Sequence, residues 1–182
     1  PGGREEAEGL YRRALVVDPG HVRTLCNLAN LLKKEPSGRE EAEALYRRAL
    51  VLDPDSVDTL CNLAYLLEEE PSGREEAEAL FRRALVVEPD DVDVLNNLAI
   101  LLSYEPSGRE EAETLYQRAL TMDPDDAGTL NNYADFLGGK PGGCKEAEAL
   151  VRRALAQDPN IVTRLVTLGT ILSKDAERLD EA

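Results

Sequence analysis

A block of 35 residues repeats along this chain without a gap or an insertion, and Pro1, Pro36, Pro71, Pro106 and Pro141 open successive blocks. Each Pro leads into a Gly-containing turn, a Glu-Ala-Glu stretch, an Arg-Arg-Ala-Leu stretch or a close relative, and an Asp-Pro or Glu-Pro. A fixed period between about 20 and 50 residues is the mark of a solenoid. In a solenoid each repeat packs only on its neighbours, and the array offers an extended curved surface rather than a pocket. The expectation is therefore binding and not chemistry.

One block shows the physics. Leu60, Leu63, Ala64 and Leu67 fall at i, i+3, i+4 and i+7, one apolar stripe of a helix, here called helix A. Glu70-Pro71-Ser72-Gly73 is a turn, because the residue before Pro is pushed out of helical geometry. Ala77, Leu80, Phe81, Ala84 and Leu85 form the stripe of a second helix, helix B, which Glu88-Pro89-Asp90 ends. No alternating run suggests a strand, so the fold class is all-α, antiparallel helix pairs. Applied throughout, the framing gives a lone helix B at 1–18 and repeats at about 21–53, 56–88, 91–123 and 126–158. A partial repeat at 161–182 closes it, a helix A at about 161–175 with Ala176 to Ala182 expected as the opening of another helix B.

Ser37, Ser72 and Ser107 each precede a Glu by three residues, which predicts a capping box at the start of helix B. Glu8 with Arg12, Glu43 with Arg47, Glu78 with Arg82 and Glu148 with Arg152 are i, i+4 pairs. They read as a solvated, helix-supporting face. The recurring Ala64, Ala77 and Ala84 are small enough to let helix axes approach closely.

Composition narrows the partners. The 182 residues carry a formal charge of −15, which disfavours nucleic acid and anionic membrane surfaces. No apolar run approaches a membrane span of roughly 20 residues, and no signal peptide is visible. The chain begins at Pro1 and stops inside a repeat, so it reads as an excerpt. Three cysteines, Cys26, Cys61 and Cys144, make no disulfide framework. They point to a reducing compartment, and an intracellular, cytoplasmic location is expected. His21 is the single histidine and has no cysteine at metal spacing. No nucleophile–base pair, phosphate loop or zinc spacing appears, so no catalytic residue, metal site or cofactor is expected.

The block resembles the tetratricopeptide repeat: a large residue, Leu-Gly or Leu-Ala, an aromatic, an Ala, an aromatic, an Ala and a Pro. Leu60, Leu63-Ala64, Leu67, Ala77, Phe81, Ala84 and Pro89 supply these positions. Leu95, Leu98-Ala99, Ala112, Tyr116, Ala119 and Pro124 repeat them. The match runs in register through the whole chain. It departs from the family in one extra residue in the A–B turn and in Leu at the first large position. The resemblance implies a right-handed superhelical solenoid whose concave groove is lined by helix A.

Transferred residue by residue, the resemblance places Arg23, Asn27, Asn30 and Lys33 in the groove from the first helix A. Asp58, Asn62 and Tyr65 come from the second, Asn96, Asn97, Ile100 and Tyr104 from the third, and Asn131, Asn132 and Asp135 from the fourth. Asn27, Asn62, Asn97 and Asn132 hold one slot four times running. An amide offers both a donor and an acceptor to a peptide bond. The series resembles the asparagine ladder in the repeat domains of O-linked N-acetylglucosamine transferase and kinesin light chain. The alternative is that each Asn bonds the neighbouring repeat and fixes stacking. The carboxylate clamp for chaperone tails is excluded, because its basic slots hold Cys26, Asp58, Asp93 and Asn97. Basic residues at one end and acidic ones further on would fix the direction of an extended partner.

The function expected is a scaffold that binds an extended peptide segment of another protein. Two alternatives stand beside it: self-association of the chain through uncapped ends, and a non-catalytic recruiting arm of a larger enzyme. Gly138 to Gly143 breaks the pattern, and Lys145 replaces a Glu at a helix start, so the fourth repeat is expected to be the weakest joint.

Overall fold

The computed structural model describes residues 2–140 and 142–180, and side chains as far as 173. Ten α-helices in repeated pairs and no strand are found among the described residues. Two compact units divide the chain, Pro1–Pro89 and Asp90–Ala182. The first holds α1 (Gly2–Val17), α2 (Val22–Leu32), α3 (Arg39–Leu52), α4 (Val57–Glu68) and α5 (Arg74–Val87). The second holds α6 (Val92–Ser103), α7 (Arg109–Met122), α8 (Ala127–Gly138), α9 (Cys144–Gln157) and α10 (Val162–Asp180). Even-numbered helices are the expected helix A and odd-numbered ones helix B.

The core of each unit is the predicted pair of stripes. Leu25, Leu28, Ala29, Tyr46 and Ala49 are buried in the first unit, as are Leu60, Leu63, Ala64, Ala77, Phe81 and Ala84. Leu95, Leu98, Ala99, Ala112, Tyr116 and Ala119 are buried in the second. Alanine at the crossings leaves no exposed surface and lets the pairs close.

The A–B turn is built around its glycine. Pro36–Gly38, Pro71–Gly73 and Pro106–Gly108 are single 3-10 turns. A Cβ at Gly38 would lie 2.5 Å from the Leu32 carbonyl oxygen, and one at Gly73 2.3 Å from that of Leu67. Gly108 and Gly143 sit the same way, with a Cβ at 2.4 and 2.2 Å from the carbonyls of Leu102 and Leu137. Their φ angles are ordinary, −95° at Gly38 and −92° at Gly73. The glycine is therefore required by the close passage of two backbones, not by its dihedral freedom.

This turn corrects the capping-box expectation. The extended residue that opens the turn is Glu35, at φ −116° and ψ 136°, and its counterparts are Glu70 and Glu105. Pro36 commits the next residues to the 3-10 turn, so Ser37 lies inside it, and no side chain caps α3, α5 or α7. Capping occurs at helix A instead. Asp91 Oδ1 accepts from the Val94 amide at 2.8 Å, and Asp126 Oδ2 from Thr129 at 2.6 Å. Ser56 and His21 cap α4 and α2 through the amides of Thr59 and Thr24. No separate helix opens at Ala176 either, since α10 continues to Asp180. Lys174-Asp175-Ala176 contains neither the Pro nor the Gly that opens every earlier turn.

The predicted i, i+4 pairs form, at 2.9 Å for Glu8–Arg12, Glu43–Arg47 and Glu78–Arg82 and 2.8 Å for Glu148–Arg152. The same arginines have a longer reach. Arg12 is bidentate to Glu41 and Arg47 to Glu76, each at 2.6 and 2.9 Å, joining consecutive B helices. Arg4 donates to the Leu31 carbonyl at 2.9 Å and Arg39 to that of Leu66, satisfying carbonyls near the end of the following helix A.

Candidate functional site: the helix-A face

In the first unit, α2 and α4 line an open groove of about 580 Å³. Arg23, Asn27, Asn30, Asp58 and Asn62 all face it, together with Cys26. Asn27 and Asn30 also face a second concavity that includes Lys33 and Lys34. Five of the predicted residues are thus brought together on one surface, and a sixth adjoins it.

Several of them are already engaged. Asn62 Nδ2 donates to the Asp58 carbonyl at 2.8 Å, one turn back in its own helix. Its Oδ1 accepts from Lys33 Nζ at 3.1 Å. Asn30 Oδ1 accepts from the Tyr46 hydroxyl at 2.8 Å. Tyr65 packs edge-on to Phe81, with centroids 5.5 Å apart. Burial lowers the pKa of Lys33, with Glu69 acting against it. Burial also raises that of Glu68, helped by Glu69 and opposed by Arg74.

In the second unit, α6, α7 and α8 enclose a smaller cavity of about 160 Å³. Ile100, Tyr104, Asn132 and Asp135 of the predicted set line it, with Ser103, Tyr116 and Phe136. Asn97 and Asn131 are not part of this lining. Asn97 Nδ2 donates to the Asp93 carbonyl at 2.6 Å. Asn96 is buried, 9% exposed, and accepts from Asn132 Nδ2 at 3.2 Å. Position alone could not show these bonds, because each depends on a rotamer.

At three ladder positions, then, at least one amide hydrogen is used inside the fold. An amide nitrogen carries two. Asn27 makes no hydrogen bond among the described residues and faces the groove.

The fourth repeat is rebuilt rather than merely interrupted. Tyr116, Tyr133 and Phe136 form a ring cluster, with centroids 5.2, 5.6 and 6.3 Å apart. Gln117 stands where other blocks have the bridging arginine, and it donates to the Tyr133 hydroxyl at 3.1 Å. Lys140 pairs with Glu113 at 2.6 Å. No cluster of His, Cys, Asp or Glu suited to a metal occurs among the described residues. No helix among them is long and apolar enough to cross a membrane.

Comparison with solved structures decides the fold. TTC0263, a thermophilic TPR protein of Thermus thermophilus, superposes with a TM-score of 0.74 at 20% identity, covering 94% of this chain and 91% of that one. YrrB, a TPR protein with an unusual peptide-binding site, gives 0.67 at 21% identity over 92% and 84%. The chain has the tetratricopeptide-repeat fold. MamA is similar too, with a TM-score of 0.69 at 20% identity over 87% of this chain and 84% of that one. No family model and no curated protein matches the sequence.

Proposed function

We propose that the protein is an interaction module that holds an extended peptide segment of another protein along the helix-A face. The observation that carries this reading is the open groove of the first unit. There, Arg23 and Asp58 supply opposite charges beside the amides of Asn27 and Asn62. Amides grip a peptide backbone without regard to sequence, and the two charges give it direction. YrrB, a structural neighbour, has a peptide-binding site, which supports the same use of the face.

Selection of a displayed random peptide library on the protein tests the reading. Binders whose affinity falls about tenfold or more in Asn27→Ala/Asn62→Ala, with unchanged unfolding, support it, since each lost hydrogen bond contributes about 1 kcal/mol. An absence of binders, or binders indifferent to Arg23→Ala, Asp58→Ala and the amide pair, overturns it.

A second reading, stacking of copies, is favoured by one feature. Leu10 on α1 is 54% exposed, while its counterparts Leu45 and Leu80 are 9% and 8% exposed. Helix A covers that position in the later pairs. Light scattering across concentration separates the readings: growth without an added partner favours stacking.

A further inference from the structure

The small cavity of the second unit has an internal counterpart 70 residues earlier. In the first unit, Lys33 Nζ lies 5.9 Å from the centroid of the Tyr46 ring and 3.1 Å from Asn62 Oδ1. The residues at the same block positions in the second unit are Ser103, Tyr116 and Asn132, and all three line the cavity. The ring and the amide remain, and the lysine is gone. Ser103 does not refill the space, since its hydroxyl turns back to the Ile100 carbonyl at 2.7 Å.

The other differences run one way. Lys34 becomes Tyr104, which removes a second cation and adds a ring. Tyr65 becomes Asp135, which adds an anion, and Leu66 becomes Phe136, another ring. Asn30 becomes Ile100, which takes away the acceptor that Tyr46 uses. Tyr116 is only 2% exposed, and its hydroxyl makes no hydrogen bond among the described residues. Burial, Asp135 and Tyr104 all raise its pKa, so it remains a neutral phenol beside a carboxylate. At about 160 Å³ the cavity is far below the ~300–1,000 Å³ of a small-molecule site and has the scale of one side chain.

Charge decides what that side chain carries. Asp135 is the charged residue in the lining. Arg109 and Lys140 stack on Phe136 at 4.8 and 5.6 Å, and Lys140 is neutralised by Glu113. Tyr116 supplies the ring surface for an incoming cation, as Tyr46 does for Lys33.

We infer that this cavity receives a lysine side chain from the bound partner segment, in the place that Lys33 fills from within the first unit. The stem lies against Ile100 and the Tyr116 ring. The ammonium meets Asp135, the Asn132 carbonyl oxygen and the Tyr116 hydroxyl. The inference rests on the peptide-binding reading for the origin of the lysine, but the cavity is testable without a peptide.

The test is an NMR titration of the whole chain with Nα-acetyl-lysine N-methylamide and its norleucine counterpart. The lysine probe is expected to shift the amides of Ser103, Asn132 and Asp135 and to bind about fivefold or more tightly than norleucine. Asp135→Asn should remove most of that preference. Ser103→Lys, which restores an internal lysine, should abolish binding. Equal affinity for norleucine, shifts elsewhere, or unchanged binding to Ser103→Lys overturns the inference. Library selection keeps the two readings distinct. Peptides recovered without a basic residue overturn the lysine slot and leave the groove. A seated lysine probe with no recoverable peptide overturns the groove and leaves the slot.

Discussion

Arg47 and Arg48 are consecutive in sequence and grip opposite neighbours. Arg47 gives both of its terminal nitrogens to Glu76, one block ahead, at 2.6 and 2.9 Å. Arg48 donates to the carbonyl of Pro19, in the loop one block behind. Arg83 repeats the backward grip on Pro54. Arg118 and Arg153 make it to the carboxylates of Asp90 and Asp125, at 2.9 and 3.0 Å. The Arg-Arg pair is thus a two-way fastener between blocks.

The two halves of the fastener should differ in their response to salt. Arg47→Ala removes an exposed ion-pair network, which contributes roughly 0.2–1 kcal/mol and is screened. Arg48→Ala removes a bond to a backbone dipole. Urea unfolding should show the cost of Arg47→Ala shrinking as salt rises, and that of Arg48→Ala holding nearly constant. Identical salt dependence in the two variants would contradict the assignment.

A second prediction concerns the turn glycine. Gly73→Ala would place a Cβ 2.3 Å from the Leu67 oxygen, where backbone must move. We expect a loss of about 1–3 kcal/mol, as for other overpacked sites. Gly20→Ala is the control, because nothing lies nearer than 3.6 Å to its Cβ. It should be neutral or stabilising by about 0.4–1 kcal/mol through the unfolded chain. Equal effects of the two substitutions on the unfolding midpoint would refute the close-passage account.

Much of this fold was legible because one 35-residue period carries both the apolar stripes and the turn between them. Bonds that cross from block to block were not. The Arg47–Glu76 spacing of 29 residues belongs to no local pattern and emerges only when B helices lie side by side. Ser37-x-x-Glu40 misled for a related reason: the motif describes an N-cap, but Pro36 had already fixed the turn one residue earlier. In the site, block position put Asn27, Asp58 and Asn62 on the helix-A face, and the three line one concavity. It did not show Lys33 crossing to Asn62 of the next helix A.

Acid should act on the fasteners in a defined sense. Hydrogen bonds from Arg12 and Arg47 hold the carboxyls of Glu41 and Glu76 below their usual range, while burial opposes this. A carboxyl depressed in the fold stabilises above its unfolded pKa, about 4.3. That contribution disappears as pH falls through the folded value. The stability difference between wild type and Glu76→Gln should therefore be constant near neutrality and shrink below about pH 4.3. Absolute stability is a poorer readout, because protonation also relieves the self-repulsion of a chain at −15. A difference that grows on acidification would reverse the assigned sign.

The last prediction sets the fourth repeat against the second. Four glycines fall within 138–143, and Gly142 adopts φ +80°. Each ordered glycine loses more backbone entropy than another residue would. The first turn of α9 has Glu146 as its acid, with Lys145 where α5 has Glu75 beside Glu76. Cations at a helix N-terminus oppose the helix dipole. Gln117 gives up the arginine bridge to the next B helix, although the Tyr116–Tyr133–Phe136 cluster compensates within the core. The weakness should therefore be local to the turn and the helix start. Native-state hydrogen exchange should be about tenfold or more faster for amides of 142–147 than for those of 72–77, while α8 stays as protected as α4. Equal exchange in the two turns would show that Lys140–Glu113 and the ring cluster restore what the glycines remove.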